Sequence, residues 1–393
     1  MIYLDNAATT QIAPEVLDAM MPYLKEDFGN AGTMYSLGRK AADAVAKARQ
    51  QVADLIGSNS YQIIFTSGGS EANSLVFEGL KPYLLANNKT HIITSATEHD
   101  SILKSVRSLC SSKNNIKSGF DAAYLKPDQN GSVSSENVDN SITEQTGLTS
   151  VMTVNNETGA VNPTKTIGSL CKSKNILFHS DCVQAVGAFP IKVEEMNCDF
   201  LSISAHKIHA PKGIGALYAK KPSLLSPVIH GGAEQEFGFR GGTENVAGIV
   251  GFGKACEILS KNLCDNEKKT FDLRKSFLIT LEDCLRGLNI IDLFHINTHG
   301  NCKILNLRFD GIDGQTLLLL LDSKGICISA GSACRSHESE PSHVLLAMGL
   351  SEEAARNSIR ISFSHTQTED EIVCAAKAVA ECVSALNYQN KYI

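Results

Sequence analysis

Three strand-like segments end on residue types that together could do one kind of chemistry. "SISAHKIHAPKGIGALY" (202–218) runs from a small-residue strand end into His206 and Lys207. A lysine there is costly to bury unless it is neutralised or used covalently. A Schiff base with an aldehyde cofactor is one such use; a surface lysine in a loop is the plainer alternative. "ILFHSDCVQAVG" (176–187) ends an apolar run on Asp181. A carboxylate at that point can hold a pyridine ring nitrogen protonated, which makes the ring an electron sink. The same aspartate could simply cap the segment that follows. "FTSGGSEAN" (65–73) reads as strand, Gly/Ser turn and helix start. Free amides at that helix end, with the Ser70 hydroxyl, suit a phosphate, and Ser204 and His206 could add donors. Each signal is common alone. Together, on successive strand ends, they point to a phosphorylated aldehyde cofactor.

A fourth stretch, "ICISAGSACRSHESEPS" (326–342), places Cys334 at the start of a polar, charged run. Free cysteines usually sit in cores, so this one stands out. A nucleophilic thiolate needs an environment that favours ionisation. Arg335 and His337 favour it, and Glu338 and Glu340 oppose it.

The elements that must position these residues alternate in type. Pro14 can open a helix, and Ser36 can cap another that Gly57 ends. "QIIFTS" (62–67), "HIITSAT" (91–97), "TSVMTVN" (149–155), "ILFHSD" (176–181) and "DFLSISA" (199–205) are short β-rich runs, several separated by helical stretches. This predicts an α/β domain with a mostly parallel central sheet, whose sites collect at the carboxyl ends of strands. A helix-like stretch over 265–288 then precedes a smaller α+β region. The expected division is 15–262 for a large cofactor-binding domain. Residues 1–14 and 263–393 form a small domain carrying a mobile loop at about 330–342. "SSKNNIKSG" (111–119) and "KPDQNGSVSSENVDNS" (126–141) read as polar surface loops.

The bulk composition narrows the function classes. The chain has 393 residues, more than one compact core usually holds. The formal net charge is −6, and no Lys/Arg run supplies a nucleic-acid footprint. The longest leucine run, Leu317–Leu321, is far short of a membrane span. The start "MIYLDNAATT" lacks the basic and apolar regions of a signal peptide. Twelve cysteines with no CxxC pair read as reduced, cytoplasmic thiols, with neither a disulfide framework nor a metal site. Cys182, Cys256 and Cys284 read as packing residues.

The chain resembles the cysteine desulfurases of the NifS/IscS type, class-V aminotransferases of pyridoxal-phosphate fold type I. The resemblance runs from "YLDNAATT" through "FTSGGSEANS", "TEHDSI", "VNNETGAVNP", "HSDCVQAVG", "SAHKIHAPKGIGALY", "FGFRGGTENVAGI", "GSACRS" and "EPSHVLLAMG" to "SIRISFS". It implies pyridoxal 5'-phosphate as cofactor, held covalently by Lys207, with Asp181 on the ring nitrogen and Gln184 on the ring hydroxyl. His99 would stack on the ring and help move protons, and Asn155 would lie near the ring hydroxyl and the substrate carboxylate. Gly69, Ser70, Ser204 and His206 would hold the phosphate. Thr243 would reach it from a neighbouring subunit, which implies a homodimer. Arg360 would clamp the carboxylate of L-cysteine, and Cys334 would take its sulfur as a persulfide. A sulfur-acceptor protein, an iron–sulfur scaffold or a thiolation enzyme for tRNA or DNA, would receive it, with no direct nucleic-acid contact expected. The chain departs from the pattern at Tyr35, where histidine is common, and at Ser70, which replaces threonine. Selenocysteine or cysteine-sulfinate lyase activity on the same fold is an alternative, as is a non-catalytic scaffold of a sulfur-transfer complex.

Overall fold

The computed structural model describes residues 1–111, 119–330 and 340–390. Cys334, Arg335, His337 and Glu338 therefore lie outside the described residues, as does most of the 111–119 loop.

The strands are β1 (Ile2–Tyr3), β2 (Ile63–Thr66), β3 (His91–Ser95), β4 (Asp121–Leu125), β5 (Thr146–Ser150) and β6 (Leu177–Asp181). They continue as β7 (Phe200–Ser204), β8 (Gly215–Ala219), β9 (Phe294–Thr298), β10 (Ile304–Phe309), β11 (Ile326–Cys327) and β12 (Ser358–Ser362). Seven form the central sheet in the order β2-β8-β7-β6-β5-β3-β4. Only β8 runs against its neighbours, pairing antiparallel with β2 and β7. The strands β2, β3, β5, β6, β7 and β8 are buried along their whole length, apart from the half-buried Leu177, as parallel strands covered on both faces must be. A second sheet, β12-β10-β9, is antiparallel, and β1 pairs in parallel with β11. The α/β architecture with a smaller α+β region is the one the sequence predicts. Among the described residues, no helix is long and apolar enough to cross a membrane.

Several local expectations are corrected. The 149–155 strand is β5 at Thr146–Ser150. Gly147 is poor in β propensity, but a Cβ there would lie 2.5 Å from the Lys89 carbonyl oxygen, so the close crossing demands glycine. Tyr35, in extended conformation, is the N-cap of the helix Ser36–Ile56, and Ser36 is its first helical residue. Gly57 does end that helix in the left-handed conformation, with φ 70°. The 126–141 loop holds a short helix, Ser135–Asn140, capped by the Ser134 side chain accepting from the Asn137 amide.

The largest difference is one helix, Val246–Gly287, of 42 residues and roughly 60 Å. It passes residue 262 without a break. Ile249, Phe252, Cys256 and Leu259 join the core around the large sheet, and Leu273, Phe277, Leu281 and Leu285 join the core of the smaller region. Its first half is rich in glycine, which hides the helix from propensity reasoning. Gly253 is there for packing: a Cβ would meet the Ala48 Cα at 2.6 Å.

Candidate active site

The carboxyl ends of β2, β3, β5, β6 and β7 open onto one cavity of about 200 Å³. Gly69, Ser70, His99, Asp181, Gln184, Ser204, His206, Lys207 and Arg360 all line it. Residues far apart in sequence meet because each follows a strand of the sheet, apart from Arg360, which sits on β12 of the smaller region.

The turn after β2 sets up one end of the cavity. Gly68 has φ 156°, and a Cβ on Gly69 would lie 2.7 Å from Val183 Cγ2. The helix Gly69–Ala86 begins here with no side-chain cap, so its first amides remain available to an anion. Glu71 in that first turn is engaged elsewhere, accepting from the Ser67 amide at 2.9 Å and from Arg240 Nε at 2.8 Å.

Asp181 ends β6. Its Oδ1 accepts from the Val183 amide at 2.9 Å and its Oδ2 from Asn73 Nδ2 at 2.8 Å. The fully buried Glu98 lies nearby. Burial first, and then Asp181, pushes its carboxyl well above the usual range. Its Oε1 accepts from the Met152 amide.

Lys207 follows β7 and donates from Nζ to the carbonyls of Ala7 and Ala8 at 2.5 and 2.6 Å. Gln184 Nε2 donates to the same Ala7 carbonyl at 2.9 Å. Next to it, His206 is pushed down to about 4 by burial, then by Lys207 and Lys212, so its imidazole is neutral at pH 7. His99 Nδ1 accepts from the Ser101 amide at 3.1 Å. A backbone N–H can only donate, so the neutral ring carries its proton on Nε2.

Arg360 is 1% exposed. It donates to Asp5 Oδ1 at 2.7 Å and to the Asn156 carbonyl at 2.8 Å, while the buried Nε has no partner among the described residues.

Two anticipated residues stand apart. Asn155 is absent from the cavity wall, where Asn156 is present. Its Nδ2 donates to the Thr97 carbonyl and its Oδ1 accepts from the Glu157 and Thr158 amides. Thr243 is exposed and also off the wall. Sequence reasoning passed over Asn73, whose Nδ2 reaches both Asp181 and Ser101, and over Ser101. Asn73 stands one helical turn after Gly69, and that spacing is the signal that could have found it.

The donor set fits pyridoxal phosphate: an uncapped helix end for the phosphate, a carboxylate for the ring nitrogen, an amine for the aldehyde and an imidazole on the same wall. The buried Asn73 Oδ1 also has no hydrogen-bond partner among the described residues.

Comparison with known proteins shows the family and the fold. The family model described as Aminotransferase class-V matches residues 2–374. The chain is 43% identical over 371 residues to a protein of Clostridium botulinum named cysteine desulfurase IscS, covering 94% of this chain and 91% of that one. A solved structure named NifS-like protein superposes with a TM-score of 0.88 at 33% identity, covering 98% of this chain and 99% of that one. Another, titled SspA in complex with cysteine, has a TM-score of 0.79 at 36% identity, covering 92% of this chain and 99% of that one. The chain belongs to the class-V aminotransferase family and has the NifS-like fold of its pyridoxal-phosphate enzymes.

Proposed function

We propose that this chain is a pyridoxal-phosphate-dependent cysteine desulfurase that converts L-cysteine to L-alanine and passes the sulfur on through Cys334. The observation that carries the reading is the meeting of Lys207, Asp181, His99 and Arg360 on one cavity wall, in a chain 43% identical to a named cysteine desulfurase.

Bound pyridoxal phosphate supplies an electron sink for charge developing on the substrate. In this reading the first amides of the helix Gly69–Ala86, with Ser70, Ser204 and His206, bind the phosphate. Asp181 holds a proton at the ring nitrogen, and Gln184 orients the ring hydroxyl. Lys207 Nζ holds the cofactor and moves a proton, and His99 offers its Nε2 proton. Arg360 binds the substrate carboxylate through its planar guanidinium. The Cys334 thiolate attacks the substrate sulfur. The new S–S bond forms as the C–S bond breaks, and the electron pair left on carbon takes a proton to give alanine.

The finer reading has four parts. The enzyme is a homodimer in which Thr243 serves the neighbouring subunit's phosphate site. It works in the cytoplasm. The persulfide goes to an acceptor protein, either an iron–sulfur scaffold or a thiolation enzyme, with no direct nucleic-acid contact. Residues 15–262 form the cofactor-binding domain, and 1–14 with 263–393 form the small one.

The test is peptide mass mapping of the holoenzyme after incubation with L-cysteine and no reductant. One added sulfur on the Cys334 peptide, with alanine formed alongside, is the expected result. Alanine without that sulfur would replace the reading with lyase chemistry that bypasses the thiol. Neither product would overturn it.

A further inference from the structure

A second cavity, of about 440 Å³, lies between the N-terminal segment, the long helix and the residues after β12. Ile12, Ile258, Leu259 and Phe363 give it aliphatic and aromatic walls. Beyond Lys207, which lines both cavities, two charged side chains face it: the exposed Glu15 and the half-buried Lys303.

The Lys303 side-chain amine has no hydrogen bond or ion pair among the described residues, while its backbone amide donates to Asn301 Oδ1. Its Nζ lies 3.7 Å from where a Cβ on Gly187 would stand, and Gly187 is part of the same wall. Burial holds its amine below the ordinary lysine value, and only the Cys302 thiol opposes this. A desolvated amine without a counterion is costly, and an anion placed beside it removes that cost.

The neighbouring polar groups narrow the ligand. His209 donates from Nδ1 to the Gln11 carbonyl at 3.0 Å, which leaves its Nε2 to accept from the Ser364 hydroxyl at 3.1 Å. Both its nitrogens are thus used. His365 packs edge-on against it, with ring centroids 5.0 Å apart, and has no hydrogen bond among the described residues. Burial brings His365 down to about 4, so it offers a neutral imidazole. The Lys303 amine and a neutral imidazole next to the apolar side chains suit a negative charge carried on an apolar body.

We propose that this cavity binds a small aliphatic carboxylate, its head group on Lys303 Nζ beside His365 and its chain against Ile12, Ile258 and Leu259. The size of the cavity is within the usual range for small-molecule sites.

The experiment is calorimetric titration of the holoenzyme with sodium hexanoate, with hexanamide as the uncharged control. Saturable one-to-one binding of hexanoate is expected, with hexanamide about tenfold weaker or worse. Lys303→Met should weaken hexanoate by a similar factor, Lys303→Arg should keep it, and Ile258→Phe, which fills the cavity but leaves the amine, should abolish it. Absence of saturable binding, equal binding of hexanamide, or undiminished binding by Lys303→Met would each overturn the proposal. If Lys303→Met does not fold, the hexanamide comparison and Ile258→Phe decide by the same criteria.

Discussion

Asn73 donates to Asp181 across 2.8 Å, and both side chains are buried. The second amide hydrogen of Asn73 reaches Ser101 Oγ at 2.9 Å, and that hydroxyl lies 2.8 Å from His99 Nδ1. A single side chain therefore ties the carboxylate to the imidazole through one serine. Asn73→Ala removes both links. Hydrogen bonds to charged groups contribute about 1.5–3 kcal/mol, so pyridoxal-phosphate affinity should fall by about tenfold to a hundredfold. Asn73→Asp should be worse, because it sets a second carboxylate against Asp181. Absorbance titration of the apoenzyme measures this, and unchanged affinity in both variants would sink the argument.

Arg360 is already paired with Asp5, so its charge is balanced and its plane is held before any substrate arrives. Arg360→Lys keeps the charge but loses the two-pronged geometry. KM for L-cysteine should rise about tenfold or more, while the absorbance of the bound cofactor stays unchanged. Steady-state kinetics with alanine as the readout checks this. An unchanged KM would assign the guanidinium to the Asp5 pair alone.

The strand that ends on Asp181 and the one that leads into Lys207 were legible in the sequence because β-rich runs ending on polar residues are a local signal. The long helix Val246–Gly287 was only half legible. Gly251 and Gly253 lower its propensity, and the reason for them lies in Met20 and Ala48, which no local window contains. β9 was missed because its residues Phe294–Ile296 are only half-buried and pair on one side alone. Arg360 illustrates the limit on the site. An arginine on a strand usually reads as a solvated edge charge. Its near-complete burial follows from β12 packing against the segment that holds Asp5, a contact made across most of the chain.

The Arg49–Glu236 pair is the other buried ion pair among the described residues. Two parallel hydrogen bonds of 2.6 and 2.7 Å join them, and Glu236 Oε2 also accepts from the Phe65 amide. The guanidinium sits between the Phe65 and Phe237 rings, 4.6 and 4.9 Å from their centroids. Glu236 and Phe237 both hold positive φ, 42° and 57°, a conformation that costs energy unless neighbouring contacts enforce it. Glu236→Ala leaves a buried guanidinium unpaired, at a cost of about 3–5 kcal/mol. The variant should unfold at lower urea and be cut first within 230–243 by limited proteolysis. Cleavage at the parent rate would mean the pair does not hold that segment.

Buried imidazoles make stability depend on pH, His206 and His365 among them. Burial is the first cause that brings His206 and His365 to about 4, from an ordinary value of 6.5. Their folded values are depressed, so the unfolded chain binds more protons between about 4 and 6.5. Stability is then full above 6.5 and lost as pH falls through that window. His365→Gln removes one such site. The slope of unfolding free energy against pH should flatten by about one proton, or about 1.4 kcal/mol per pH unit. Urea midpoints collected across the window give the slope, and parallel curves for parent and variant would contradict the assignment.

The cysteines should sort by burial when the folded enzyme meets iodoacetamide near neutral pH. Burial pushes the Cys171 thiol up to about 11 and that of Cys182 up to about 12, and it raises Cys256 further still. Thiolate is the reacting species, so these three should stay unmodified until the chain unfolds. Cys264 and Cys374 are exposed and should be labelled. Cys182 is the informative case. It adjoins Asp181 yet sits 3.1 Å from Thr153 Oγ1, inside the core. Its labelling in the folded state would mean that the strand end carrying Asp181 opens to solvent, and the fixed carboxylate on which the proposed site depends would be lost with it.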